Sequence, residues 1–377
     1  MQQNTYVINL KDVIKNYDLA LSLAGGKPVI PMLKADGYGM GAKALAETLN
    51  QKRGVKLFAV SRFSEAAPLL SDEYSILVLT PPADSDEARF AAQSSVTAAV
   101  DSRESAALLN AAAGELGVTA KVHIAVDTGF GRYGFAPDDM EGMLGLKALA
   151  SLKVTGAYTH LYAAFDKDIS KSLLQLKIFK SAADKLEAQF GPLTKHIANT
   201  CALLRDSRFV LDAVRPGSLL CGRAPITFGK PLTPVGTLCC PITEIRSLPR
   251  GHNIGYGGIF KLKRDSRVAV INAGSADGIL RKKDYDTFRL IDIARYGYNL
   301  LKLIGGGSRL RFEVNGKRAP ALGRIALTNT MLDVTDIPCK AGDIARLKLS
   351  PLTVDGGVKR EYIYEQAAWQ PAFKRRD

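Results

Sequence analysis

Val29-Ile30-Pro31-Met32-Leu33-Lys34-Ala35-Asp36-Gly37-Tyr38-Gly39-Met40-Gly41 joins an apolar run to a lysine, then to a glycine-rich turn that carries a tyrosine. A strand buried on both faces reads as a near-continuous apolar run. Ending such a strand on Lys34 is unfavourable unless the amine has chemistry to do. A desolvated lysine has a lowered pKa, which suits a Schiff-base nucleophile or a proton shuttle. A lysine snorkelling from a strand end fits this segment alone equally well. If the strand belongs to a parallel barrel, Lys34 stands at the carboxyl end, where barrels place catalytic groups.

The flanking pattern supports a barrel. Strand-like runs at 28–34, 57–60, 75–80, 96–100, 120–127, 154–160, 196–199 and 213–217 alternate with helical stretches, clearest at 42–50, 103–113 and 171–190. This alternation is the signature of a (β/α)8 TIM barrel. A doubly wound sheet would place a glycine fingerprint after its first strand, and Gly37-Tyr38-Gly39-Met40-Gly41 lacks that spacing. After Pro234 the texture changes to short β-branched runs at 235–245, 268–272, 309–314, 331–334, 344–349 and 362–364. Gly305-Gly306-Gly307 and Asp355-Gly356-Gly357 read as loops between them. The expected organisation is an α/β chain: residues 1–11 as a strand joining the β domain, 12–233 as the barrel and 234–377 as a C-terminal mostly-β domain.

Composition narrows the function. The 377 residues are 46% hydrophobic and 23% charged, ordinary for a globular protein. No apolar run is long enough for a membrane span, and the N-terminus is no secretory signal. The five cysteines have no C-x-x-C spacing and the four histidines no metal-site pattern. The expectation is a cytoplasmic protein with core thiols and no metal. The net charge of +14 raises the question of nucleic acid, but the basic residues are scattered. The local knots at 280–283 and 374–376 lack interleaved aromatics, so the field suits anionic small molecules better.

Polar residues recur at the proposed strand ends. Asp127-Thr128-Gly129-Phe130-Gly131-Arg132 follows strand five, His160 ends strand six, Asn199-Thr200 ends strand seven, and Arg215-Pro216-Gly217-Ser218 ends strand eight. Each alone has an ordinary structural explanation. On one face of one barrel they form a candidate active site. The loops after strands seven and eight often bind phosphate, and Asn199, Thr200, Gly217 and Ser218 are suitable donors. A phosphorylated aldehyde lying across the barrel mouth would reach Lys34.

With these motifs the chain resembles the alanine racemase family of pyridoxal 5'-phosphate enzymes. The resemblance implies a homodimer with a shared active site. It makes Lys34 the cofactor-bearing lysine and places Tyr38 near the cofactor phosphate. Residues 127–134 are similar to the family's DTGMGRLG segment, which makes Arg132 a cofactor and substrate-carboxylate arginine. His160 matches a residue flanking the cofactor ring, and Asn199, Thr200, Gly217, Ser218 and Tyr364 match phosphate-side residues. Arg215 matches the arginine facing the pyridine nitrogen. Ile254-Gly255-Tyr256-Gly257-Gly258 resembles the motif of the second base, which makes Tyr256 that base, acting opposite Lys34 from the other subunit. Arginine cannot hand its proton to the ring nitrogen, so Arg215 favours racemisation over decarboxylation.

The chain also departs from the family pattern. A lysine, often carbamylated, that buttresses the substrate arginine is Ala125 here. GYADG becomes Gly274-Ser275-Ala276-Asp277-Gly278, and the methionine and aspartate near the substrate become Leu327 and Thr328. The arginine-rich tail is replaced by Gln370-Pro371-Ala372-Phe373-Lys374. These changes fall at substrate recognition. They imply either a racemase with an atypical substrate or a repurposed enzyme such as a decarboxylase. A non-catalytic cofactor-binding protein is the third possibility.

Overall fold

A computed structural model describes residues 3–94, 96–226, 228–229, 232–281, 293, 297–298 and 310–364. The Gly305–Gly307 loop, the lysines of the 280–283 knot, the 374–376 knot and the C-terminal departure lie outside those residues. Two compact units emerge: Leu10–Val235, and the segment ending at Asn9 together with Gly236–Tyr364.

The first unit is built on a parallel sheet. After β1 (Thr5–Asn9), which belongs to the other unit, come β2 (Leu57–Val60), β3 (Ser75–Val78), β4 (Thr97–Val100), β5 (Ala120–Ala125), β6 (Leu152–Tyr158) and β7 (Thr194–His196), paired in chain order. The runs at 28–34 and 213–217 do not form ladders, contrary to the sequence expectation. They contribute parallel bridges Val29–Val214, Met32–Ala59 and His196–Ala213, which continue the ring from β7 back to β2. Prolines explain the shortfall, because Pro28, Pro31 and Pro216 have no N–H to donate. Their carbonyls still accept from Val214, Ala59 and Met32 at 3.0, 2.9 and 2.9 Å. Ile30, Met32, Ala59, Leu77 and Ala213 pack together inside this ring. Helices alternate with the strands, including Ala42–Arg53, Arg103–Glu115 and Ser170–Phe190.

The second unit is mostly antiparallel. Its strands are β8 (Gly236–Leu248), β9 (Ser266–Ile271), β10 (Arg311–Val314), β11 (Lys317–Leu322), β12 (Thr330–Asp333), β13 (Ile344–Lys348) and β14 (Lys359–Ile363). The order β13-β10-β11-β12-β9-β8 closes on itself because β13 also pairs with β8. β8 achieves this with its length: its first half pairs with β13 and β1, its second with β9, across an irregularity between Ile242 and Glu244. β1 adds to β8 antiparallel and to β14 in parallel. β11 lacks a clear apolar alternation because Lys317 and Arg318 open it and Pro320 interrupts it.

Candidate active site

Lys34 opens a left-handed turn. Ala35, Asp36, Gly37 and Tyr38 have φ of 51°, 51°, 63° and 58°. Three of these are not glycine, and each left-handed residue costs roughly 1–2 kcal/mol. Hydrogen bonds hold the turn. The Gly37 amide donates to Leu33 O at 2.7 Å, and Gly41 N donates to Asp36 O at 2.9 Å. The Asp36 carboxylate accepts from Ala42 N at 2.8 Å. Glu65 ties the turn to the segment after β2: one oxygen accepts from Ala35 N at 2.8 Å, the other from Ser61 N at 2.9 Å and Arg62 N at 3.2 Å. The Lys34 amine lies 6.0 Å from the centre of the Tyr38 ring. Burial pushes its pKa down, Arg132 pushes it the same way, and Glu65 opposes them.

Tyr38 reaches into the corner formed by the loops after β7 and at 213–217. A Cβ added to Gly217 would sit 2.1 Å from the Tyr38 hydroxyl, so only glycine permits this approach. Burial raises the Tyr38 pKa, which keeps the phenol protonated and a donor. Thr200 Oγ1 accepts from Gly217 N at 3.1 Å and Leu219 N at 3.3 Å, leaving its own proton to donate elsewhere. The Gly217 amide, expected to face an anion, is thus engaged with Thr200. Asn199 Oδ1 accepts from Ala202 N at 3.1 Å, capping the short helix Thr200–Arg205. Ser218 adjoins this corner in sequence, and its carbonyl accepts from Arg223 N at 3.0 Å.

Arg215 is 4% exposed. It donates to His196 O at 2.7 Å, to Thr159 O at 2.9 Å and to His196 Nδ1, with its guanidinium over the Tyr158 ring. Arginine only donates, so His196 Nδ1 accepts and its proton sits on Nε2, which donates to His123 Nδ1 at 2.7 Å. Tyr158 stacks on His196 with ring centroids 5.3 Å apart. Burial, reinforced by Arg215, depresses His196 well below its ordinary range and His123 to about 4. Burial draws Arg215 itself only to about 10, so it keeps its charge near neutrality. Burial first, then Arg215, Arg132 and Lys34, lower His160 to about 3.

Arg132 stands on the loop after β5. Asp127 shapes this loop by accepting from the amides of Gly129, Phe130 and Gly131 at 2.9, 2.8 and 3.0 Å. The buried Gln175, from helix Ser170–Phe190, fastens it to the loop after β6. Gln175 donates to Thr128 Oγ1 at 2.9 Å and His160 O at 3.2 Å, and accepts from Tyr162 N at 3.1 Å. Ala125 is buried against Ala99 and Tyr158. Sequence reasoning missed Glu65, Gln175 and the His123–His196 pair. Gln175 left a signal: it interrupts the buried stripe of Leu176, Phe179, Ala183 and Leu186 on its helix.

The remaining candidates belong to the β unit. Tyr256 lies in a short turn, Tyr256–Gly258, and is 70% exposed. Ser275 and Leu327 sit on two paired loops: Ser275 N donates to Ala326 O at 3.1 Å, and Ala276 N to Leu327 O at 2.9 Å. Next to Leu327, the Thr328 hydroxyl donates to Asn329 Oδ1 at 3.1 Å. Tyr364 follows β14 and is exposed.

In the barrel unit a lysine of lowered pKa, a fixed buried cation, a neutral imidazole and a hydroxyl-lined corner come together. The residues fit pyridoxal phosphate: an amine for its aldehyde, an arginine for its ring nitrogen, and Tyr38 and Thr200 hydroxyls for its phosphate.

Residues 8–225 match the family described as alanine racemase, N-terminal domain, and residues 235–354 match alanine racemase, C-terminal domain. The alanine racemase of Methylacidiphilum infernorum is 35% identical over 327 residues, 85% of this chain and 76% of that protein. That of Clostridium novyi is 32% identical over 348 residues, 89% and 82% of the two chains. Among solved structures, Clostridium difficile alanine racemase aligns with a TM-score of 0.81 at 24% identity, over 97% of this chain and 96% of that one. Bartonella henselae alanine racemase, solved with covalently bound pyridoxal phosphate, aligns at 0.74 and 23% identity, over 96% and 100%.

Proposed function

The chain belongs to the alanine racemase family, and from that premise we propose that Lys34 and Tyr256 move the Cα proton of an amino acid on opposite faces. Pyridoxal phosphate, when bound, supplies an aldehyde for the substrate amine and a ring that accepts electron density from Cα. Lys34, Tyr38, Arg132, His160, Asn199, Thr200, Arg215, Gly217, Ser218 and Tyr364 are the residues assigned to hold it. The single observation that carries the reading is Lys34 itself: a partly buried amine of lowered pKa on a turn held in a strained conformation. A lysine meant only to reach water would not need that turn or its ties.

The Lys34 amine takes and returns the proton on its face. Tyr256 does so on the other, from a second copy of the chain, so the active form is a homodimer. Burial and the neighbouring Arg132 cation favour the deprotonated form of Lys34. Arg215, directed by His196 and the Thr159 carbonyl, would hold its own proton toward the ring nitrogen of a bound cofactor. This arrangement favours returning the proton to Cα over losing the carboxylate, which sets racemisation above decarboxylation.

Alanine is the first substrate to test. Ser275, Leu327 and Thr328 support a second reading, in which a longer or acidic amino acid turns over faster, because no ring or carboxylate stands at those positions. The cofactor-loaded protein incubated with a panel of L-amino acids, followed by chiral chromatography, decides. D-product identifies racemisation, and the fastest substrate chooses between the readings. No D-product from any amino acid would sink both.

A further inference from the structure

We propose that Phe130, aided by Tyr133, is the positioning residue that holds Arg132 by its guanidinium face and leaves the guanidinium edge for a substrate carboxylate. What Arg132 grips rests on the racemase reading; how Arg132 is held does not.

The Arg132 guanidinium carbon lies 4.5 Å from the centre of the Phe130 ring and 5.9 Å from that of Tyr133. Both are within the range of a cation–π contact. Among the described residues Arg132 has no hydrogen bond or ion pair. The nearest acid in sequence, Asp127, is occupied by the amides of Gly129, Phe130 and Gly131. Ala125 offers only a methyl group, packed against Ala99 and Tyr158. Aromatic faces are therefore what remains to hold this cation.

The Phe130 ring is itself held. His160 meets it edge-on, with centroids 5.0 Å apart and planes at 81°. Gln175 in turn anchors the His160 carbonyl. The geometry separates two functions of one guanidinium. The Arg132 cation lies over the Phe130 ring, and because a guanidinium carries its five N–H groups in its own plane, a ring against its face would leave that edge for a ligand. A bidentate carboxylate needs that edge. Holding the face reduces the ordering required on binding. The motif that residues 127–134 resemble has methionine and leucine where this chain has Phe130 and Tyr133, so both rings occur together with the loss of the lysine at Ala125.

The test uses the cofactor-loaded protein and sodium propionate as a carboxylate probe. Phe130→Leu removes the ring from a position 37% exposed, where folding should tolerate it. Its propionate Kd is expected to rise about threefold or more. KM for the amino acid rises with it, and kcat changes less. Phenylglyoxal labelling of Arg132, read by peptide mass mapping, accelerates as the face is uncovered. Phe130→Trp restores the affinity and the slow labelling. Tyr133→Leu acts in the same direction with a smaller effect, which covers the case in which Phe130→Leu misfolds. Unchanged propionate affinity in Phe130→Leu, or no recovery with tryptophan, overturns the proposal. If the wild-type protein racemises nothing, the functional reading fails, and the Arg132 labelling rates still decide how the guanidinium is held.

Discussion

Arg215 in the barrel unit is 4% exposed, directed by two carbonyls and an imidazole, whereas Tyr256 in the β unit is 70% exposed on a three-residue turn. The same contrast separates Thr200 and Gln175 from Leu327 and Thr328. Arg215, Thr200 and Gln175 are fixed by hydrogen bonds within the barrel unit. Ser275 and Leu327 are held by backbone pairing of their two loops, with their side chains exposed. Groups buried and tied in this way suit a cofactor that stays. Groups on exposed loops suit a substrate that comes and goes.

Acid should break the barrel side first. His123 is buried and neutral, with its pKa at about 4 against an ordinary 6.5. Between those values the unfolded chain binds a proton that the folded chain does not. The stability from this group is full above pH 6.5 and is lost as pH falls toward 4, by roughly 3 kcal/mol at the limit. Buried His196 acts in the same direction. Among the described residues the β unit buries no histidine. Hydrogen exchange at a series of pH values should show barrel amides losing protection before β-unit amides. Simultaneous loss would remove the contrast.

A smaller effect sharpens it. In Gly217→Ala the new methyl would collide with the Tyr38 hydroxyl. Overpacking of this kind costs about 1–3 kcal/mol, so cofactor affinity should fall about tenfold. Ser275→Ala, on an exposed β-unit loop, should change cofactor affinity by less than about twofold, because exposed positions away from such contacts stay within about 0.5 kcal/mol. Equilibrium titration of the cofactor-free proteins measures both.

Much of this contrast was legible in the sequence. Period and turn chemistry separated a barrel from a β domain, and the apolar run ending on Lys34 marked the strand end where a candidate site was expected. Strands one and eight were less legible, because an apolar run does not tell a ladder from the isolated bridges that prolines 28, 31 and 216 leave. The left-handed turn was not legible, because Ala35, Asp36 and Tyr38 carry no local preference for positive φ strong enough to announce it. Its ties come from Glu65, about thirty residues away in sequence, and such a partner is set by topology. The Phe130–Arg132 contact needed coordinates for the same reason: adjacency in sequence does not say whether the guanidinium lies over the ring.

The central claim is that one base comes from each region. Tyr256→Phe, loaded with cofactor and incubated with L- and D-alanine in deuterated water, tests it most directly by NMR and chiral analysis. With Lys34 as the remaining base, one enantiomer should exchange its Cα hydrogen with retention of configuration, and inversion should fall about 100-fold or more. Inversion at the wild-type rate, or exchange of both enantiomers alike, would contradict a division of the two bases between Lys34 and Tyr256.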